Sequence, residues 1–259
     1  MAKLEGSQRA HSRLAVELAA SPEAVIEAQR LRYRVFAEEM GAVVHGHSPG
    51  CESDAYDAFC QHLLVRERDT ARVVACSRIL DAATAAQAGG FYSACEFEME
   101  RVAALPGRIM ELGRTCVDAE FRNGATIATL WSGLARHIVE HGYDYLFGCA
   151  SISLRDGGLQ AAAIMHRLRG RFMADAACRV APRLALPAVH ADTAVLPKMP
   201  PLLKAYLSLG ARICGEPCWD PDFGVADVFI LVDTSALSAR YVRHFMGHEQ
   251  ASLRRAASA

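Results

Sequence analysis

Nowhere in its 259 residues does the chain run without charge for the roughly 20 apolar residues that a membrane-spanning helix needs, although 52% of it is hydrophobic. The opening Met1-Ala-Lys-Leu-Glu-Gly6 lacks the apolar core of a secretory signal. A surplus of either charge is also missing. The formal net charge is −1, and a near-neutral molecule lacks the positive field of a nucleic-acid binder. The nine cysteines contain no Cys-x-x-Cys pair and their number is odd, so neither a zinc framework nor a disulfide scaffold is expected. Most sit in apolar runs and read as reduced, small core hydrophobes. His45-Gly-His47 with Cys51 has no second ligand pair nearby and reads as a loop, so no metal is expected. There is no internal repeat, linker or low-complexity tract. The expectation is a cytoplasmic protein, with peripheral contact at the inner membrane left open. It folds as one domain over 1–259, with a flexible N-terminus at 1–11 and a basic C-terminal helix at 235–259.

What the chain does contain is concentrated between Ile109 and Ile152. Ile109-Met-Glu-Leu-Gly-Arg-Thr-Cys-Val117 is apolar and β-prone apart from Glu111 and Arg114. A short turn, Asp118 to Gly124, leads to an amphipathic helical pattern over 125–141 and a second strand, Tyr145 to Ile152. Strand, Arg/Gly turn, helix, strand is a layout that suits an anion. A helix N-terminus offers unpaired N–H groups and a positive dipole end to a phosphate. Glu111 and Arg114 need a reason to stand in a buried-looking strand, because burying unpaired charge is unfavourable.

Elsewhere, Arg13 to Leu18 reads as an opening strand, and Ser21-Pro22-x-Glu as the start of a helix reaching about Met40. Gly41 to Asp54 is a loop. Gln61–Arg66 and Arg72–Leu80 read as a hairpin, followed by short helical patches near 82–88 and 95–104. Gly157-Gly158 precedes a helix ending at Arg169-Gly170. A Pro-rich stretch to Pro201 leads to a helix over Leu202–Leu209. Ala211–Gly215 and Val225–Val232 are expected to pair around the loop Glu216–Gly224.

This order of elements resembles the GNAT acyltransferase fold, and more closely the bacterial L-ornithine N-α-acyltransferases, a group labelled haemolysin-like. The resemblance rests on Leu31-Arg-Tyr-Arg-Val-Phe-Ala-Glu-Glu-Met-Gly41, Glu111-Leu-Gly-Arg-Thr-Cys-Val117, Phe121-Arg-Asn-Gly-Ala125 and Tyr145-Leu-Phe-Gly-Cys-Ala-Ser-Ile152. Leu202-Leu-Lys-Ala-Tyr-Leu-Ser-Leu-Gly-Ala211 and Asp220-Pro-Asp-Phe-Gly-Val-Ala-Asp-Val-Phe229 extend it over roughly 13–246. It implies an α/β fold around a mixed, mostly antiparallel sheet flanked by helices, with an acyl thioester lying in a split between two central strands. It implies transfer of a long 3-hydroxyacyl chain from acyl carrier protein to the α-amine of L-ornithine. The phosphopantetheine thioester is then a co-substrate, and no cofactor is needed.

A more distant likeness to acyl-homoserine lactone synthases singles out Arg32 and Phe36, Asp54 and Asp57, Arg78, and Glu111 with Arg114. The aromatic residue that those enzymes carry shortly after the Phe is replaced by Ala42. Ordinary GNAT phosphate loops are one residue longer than Arg122-Asn123-Gly124-Ala125, and a shorter loop suits an arm that brings no adenosine diphosphate.

Two readings stand beside each of these residues. Glu111 is either a general base for the attacking ammonium or half of a structural ion pair with Arg114 or Arg78. Arg114 either positions Glu111 or meets the substrate carboxylate. Asp54 and Asp57 either hold the distal ammonium of ornithine or are simply solvated. Arg32 is a site residue or a snorkelling one. Cys116 and Cys149 lack an activating partner, which favours direct transfer over an acyl-cysteine intermediate. His166-Arg-Leu-Arg-Gly-Arg171 is either a solvated helix end or a docking patch for acidic carrier protein or anionic lipid. The rival functions are acyl-homoserine lactone synthesis, another N-acyl amino acid synthase, and a non-enzymatic membrane-active role.

Overall fold

The computed structural model describes residues 13–187, 189 and 195–236. The N-terminal segment 1–11 and the tail beyond Ala236 lie outside the described residues. The described chain forms two compact units, the first reaching to Ile79 and resuming over Gly113–Gly142, the second formed by Leu80–Leu112 and Tyr143–Ala236.

In the first unit, strand β1 (Leu14–Leu18) lies antiparallel to β2 (Gln61–Glu67), which lies antiparallel to β3 (Val73–Asp81). The second half of β5 (Ile109–Val117) follows β3, with Thr115 opposite Ser77 and the Asp118 N–H donating to the Val74 carbonyl. Helix α1 (Pro22–Tyr33) starts as its sequence dictates: the Ser21 hydroxyl accepts from the Ala24 N–H, and Pro22 fills a position where no N–H is needed. The helix expected to reach Met40 changes pitch after Tyr33 and finishes as a π-helical turn, Arg34–Glu39. Such turns are commonly associated with functional sites. Helix α4 (Gly124–His141) packs on β1. Its Gly133 faces Val16 so closely that any Cβ would collide with the valine methyls.

The second unit begins with the last residues of β3 and helix α2 (Ala82–Gln87), capped by Asp81. A 3-10 turn (Tyr92–Cys95), a two-residue strand β4 (Phe97–Glu98) and helix α3 (Glu100–Ala103) lead into the first half of β5. That half pairs in parallel with β6 (Tyr145–Ser153), through Ile109↔Tyr145 to Glu111↔Phe147. Gly148 is required there, since a Cβ would strike the Leu112 carbonyl. Helix α5 (Leu159–Arg169), strand β7 (Ala181–Pro182), helix α6 (Pro201–Ser208), β8 (Arg212–Ile213), β9 (Cys218–Asp220) and β10 (Val225–Asp233) complete the unit. β10 runs antiparallel to the whole of β6, while β7 pairs with β4. Phe147 stacks on Phe229, and Phe91 and Phe97 meet these two rings edge-on, which fills the core with aromatic surface.

The terminal hairpin differs from expectation. Its near partner is β9, inside the segment read as loop, with Cys218 opposite Asp227 and Asp220 opposite Val225. β8 meets β10 farther along, at Ile230 and Leu231. The tight turn after Asp220 explains the difference, because its carboxylate accepts from the Asp222 and Phe223 N–H groups and so reverses the chain early. The sheet class itself is as expected, mixed and mostly antiparallel, with helices against it. No helix of the described residues is long and apolar enough to cross a membrane.

Candidate active site

Three arginines and three carboxylates of the first unit form a closed loop of alternating charge. Arg32 comes from α1, Glu52 and Asp54 from the loop before the 3-10 turn Ala55–Phe59, and Asp57 from that turn. Arg78 comes from β3 and Arg114 from β5. Arg32 Nε pairs with Glu52 Oε2. Glu52 Oε1 accepts from Arg114 Nε at 2.9 Å, and Arg114 Nη2 lies 3.5 Å from Asp54 Oδ2. Asp54 Oδ1 accepts from Arg78 Nη1 at 2.6 Å, and the same nitrogen donates to Asp57 Oδ1 at 3.0 Å. Asp57 Oδ2 closes the loop on Arg32 Nη2 at 2.6 Å. The Asp54 side chain also accepts from the Tyr56 N–H and so caps the turn that presents Asp57.

The charges of these six residues cancel, which is what permits Arg32 to be only 1% exposed. Burial alone would push the Asp57 carboxyl up. Hydrogen bonding from Arg32 and the charges of Arg32 and Arg78 outweigh it and hold that carboxyl well below the usual range. Burial likewise works against the Arg32 cation, but Asp57 and Glu52 more than restore it. His62 packs beside the ring, its Nε2 donating to the Asp57 carbonyl at 3.1 Å. Burial pushes its imidazole below the ordinary value, so the neutral form is favoured.

The sequence offers two roles for Asp54 and Asp57, holding a substrate ammonium or being simply solvated. In the structure both accept from arginines: Asp57 on both carboxylate oxygens, and Asp54 from Arg78 on Oδ1, with Arg114 Nη2 3.5 Å from its Oδ2. Asp54 is the more accessible, with 23% of its side chain exposed against 8% for Asp57. Phe36 is buried in the π-helical turn next to α1.

Glu111 belongs to the second unit and is 3% exposed. Its Oε2 accepts from the Tyr92 N–H at 2.7 Å and its Oε1 from the Ser93 N–H at 2.7 Å, with the Ser93 hydroxyl also bonded to Oε1. The 3-10 turn therefore grips the carboxylate and fixes its position on β5. Ser93 Oγ also lies 3.5 Å from Cys149 Sγ. Burial, then the negative charges of Glu96 and Asp227, push that thiol well above its ordinary value. Cys116, in the first unit, is likewise raised by burial and by Cys76 at 3.6 Å. A thiol held protonated is a poor nucleophile, which agrees with direct transfer. Glu96, Asp220 and Asp227 bring carboxylate oxygens within 4.8 Å of one another, and Asp227 accepts from Ser151 Oγ at 2.6 Å.

The Arg122–Ala125 segment does begin a helix. Asn123 is its N-cap, and its side chain already accepts from the Ala125 and Thr126 N–H groups. Arg122 is bound to Glu39 and to the Val117 carbonyl. An anion at this helix end would compete with Glu39 for the guanidinium.

Reading the sequence alone missed Glu52, Ser93 and Gln29, which donates to Asp57 Oδ2 at 2.9 Å. Glu52 had one available signal, the acidic spacing 52, 54, 57 within a loop. Ser93 acts through its backbone as much as its hydroxyl, and no residue pattern announces that.

Residues 31–132 match the family model of an acetyltransferase (GNAT) domain. An L-ornithine N(alpha)-acyltransferase of Brucella abortus (strain 2308) is 37% identical over 257 residues, covering 90% of this chain and 88% of that protein. An L-ornithine N(alpha)-acyltransferase of Rhodobacter capsulatus is 35% identical over 243 residues, covering 87% and 92%. Among solved structures, the coenzyme A-dependent acyl-homoserine lactone synthase BjaI aligns over 90% of this chain and 87% of its own. The TM-score is 0.54 at 16% identity, a likeness of fold.

Proposed function

The chain belongs to the family of L-ornithine N(alpha)-acyltransferases, and from that premise we propose that it moves a long 3-hydroxyacyl chain from acyl carrier protein to the α-amine of L-ornithine. The product is an N-acylated ornithine, a lyso-lipid, and the reaction is the first step toward an ornithine lipid. The observation that carries the reading is identity of 34–37% to relatives so named over about nine-tenths of the chain.

The chemistry is one exchange. The amine nitrogen bonds to the thioester carbonyl carbon, the C–S bond breaks, and the arm leaves as a thiol, its sulfur taking the second proton that the nitrogen gives up as the amide forms. The α-ammonium must first lose a proton, and Glu111, directly or through one water, is the group assigned to take it. Its fixed position on β5 supports that assignment. Negative charge developing on the carbonyl oxygen needs donors, for which backbone N–H groups of the Gly113–Val117 strand are the candidates. Arg122 and the N-terminus of α4 are assigned to the phosphopantetheine phosphate, with Glu39 displaced. A cytoplasmic location with peripheral contact to an anionic membrane belongs to the same reading and rests on the product being a lipid. Acyl-homoserine lactone synthesis has fold likeness alone behind it.

The test is purified protein with L-ornithine and one 3-hydroxyacyl chain presented on acyl carrier protein or on coenzyme A. Thiol release gives the rate and mass spectrometry the product. We expect an Nα-acylated ornithine and a higher kcat/KM with the carrier protein. Equal or better efficiency with coenzyme A overturns the donor assignment. No acylated ornithine with either carrier overturns the function.

A further inference from the structure

Arg114 stands in the middle of β5 with φ +51°, in the left-handed region. Ala71, in the turn between β2 and β3, is the other non-glycine residue with positive φ among those described. An L side chain avoids this region because Cβ crowds the backbone, and strands that need it normally place glycine there. Gly113 is the adjacent residue and does not take it. Exposure rises at this point of the strand: Ile109–Leu112 are buried, Gly113–Thr115 half-buried, and Cys116–Val117 buried again. Unfavourable backbone of this kind persists only when the surroundings over-determine it.

The surroundings here are the charged ring. Arg114 Nε donates to Glu52 Oε1 at 2.9 Å, and Glu52 is itself pinned from its other oxygen by the buried Arg32. Arg32 in turn is held by Asp57 on both carboxylate oxygens and by the Glu52 carbonyl at 2.7 Å. Glu52 is thus the shorter of the ring's two routes from Arg32 on α1 to Arg114, and at 2.9 Å its contact with that guanidinium is closer than the 3.5 Å of Asp54 on the other route.

We propose that Glu52 is a positioning residue for acyl transfer: acting through the Arg114 side chain, it holds β5 kinked between Gly113 and Thr115. A left-handed residue between extended ones redirects the N–H groups that flank it away from the regular alternation of a strand. The kink therefore sets the direction of the β5 N–H groups assigned above to the oxyanion. This inference rests on that reading for its catalytic consequence, and on geometry alone for the kink.

Two pairs of variants test it. Arg114→Gly and Arg114→Ala both delete the guanidinium, but only glycine enters the left-handed region freely. We expect Arg114→Gly to keep a kcat about tenfold above Arg114→Ala, the scale set by the backbone preference. Glu52→Gln should lower kcat about tenfold on the Arg114 background with donor KM nearly unchanged. On the Arg114→Gly background it should have little effect, because the link it breaks is already gone. Amide hydrogen exchange over residues 109–117 should speed up in Arg114→Ala and Glu52→Gln but not in Arg114→Gly. Equal kcat for the two Arg114 variants, or the same Glu52→Gln loss on both backgrounds, overturns the proposal. Should Glu52→Gln fail to fold, the glycine–alanine pair still decides. If wild-type protein acylates no ornithine, the function is refuted while the exchange pattern judges the kink separately.

Discussion

Asp57→Asn removes one charge from a buried, balanced set and changes almost no volume. The wild-type carboxylate accepts four hydrogen bonds, from Arg32 Nη1 and Nη2, Gln29 Nε2 and Arg78 Nη1. An asparagine keeps one acceptor oxygen and turns an NH2 toward a guanidinium, leaving a net positive charge among groups withdrawn from water. Breaking a buried pair in this way costs about 3–5 kcal/mol. At about 2–4 °C of Tm per kcal/mol for a chain of this size, that is a fall of about 6–20 °C. Asp54→Asn, at the more exposed side of the ring, should lower Tm by less. The pH dependence follows from the direction of the shift. Arg32 and Arg78 hold the folded Asp57 carboxyl below its unfolded value of about 3.9. Its contribution is therefore fully present above that value and is lost as pH falls through the folded one. The gap between wild type and Asp57→Asn should thus be constant from pH 5 to pH 8. Thermal unfolding followed by circular dichroism measures both. A Tm within about 2 °C of wild type, on the same slope, would refute the claim that the ring is what allows Arg32 to be buried.

Glu111→Gln should lower kcat about 10²–10⁴-fold, the span for loss of a general base. Its NH2 must face the Tyr92 or Ser93 N–H, so it should also cost about 1–3 kcal/mol of stability, and kcat is compared well below Tm. Near-normal turnover at neutral pH would reduce Glu111 to an anchor for the Tyr92–Cys95 turn. Cys116→Ala and Cys149→Ala should each keep turnover within about threefold where the fold is retained, because burial holds both thiols protonated. An acyl-enzyme adduct on either cysteine, seen by intact-mass measurement, would contradict direct transfer. His62 is favoured neutral in the fold, so the unfolded state binds its proton first as pH drops below about 6.5 and stability falls with it. Stability attributable to His62 is complete above that pH and is lost down to the folded value. His62→Gln should flatten the fall of Tm between pH 7 and pH 5, and an unchanged slope would sink the assignment.

The amino-acid sequence determined the local structure and much of the architecture. Apolar alternation and helical spacing marked β2, β3, β5, α4 and β6 within a residue or two, and Ser21-Pro22 set the start of α1. These signals are local, because each depends on residues within one or two turns of chain. Glu111 and Arg114 also stood out unaided, as charges in a strand that burial would penalise. What they do was not legible. Glu111 is gripped by Tyr92 and Ser93, and Arg114 by Glu52 and Asp54, residues 18 to 62 positions away. Only the tertiary structure brought Arg32, Glu52, Asp54, Asp57, Arg78 and Arg114 within ion-pair distance, since Coulomb energies depend on separation in space and not in sequence. The same holds for the left-handed Arg114. Propensity assigns that conformation to the neighbouring Gly113, and it falls to the arginine because a carboxylate fixed elsewhere in the fold holds its side chain.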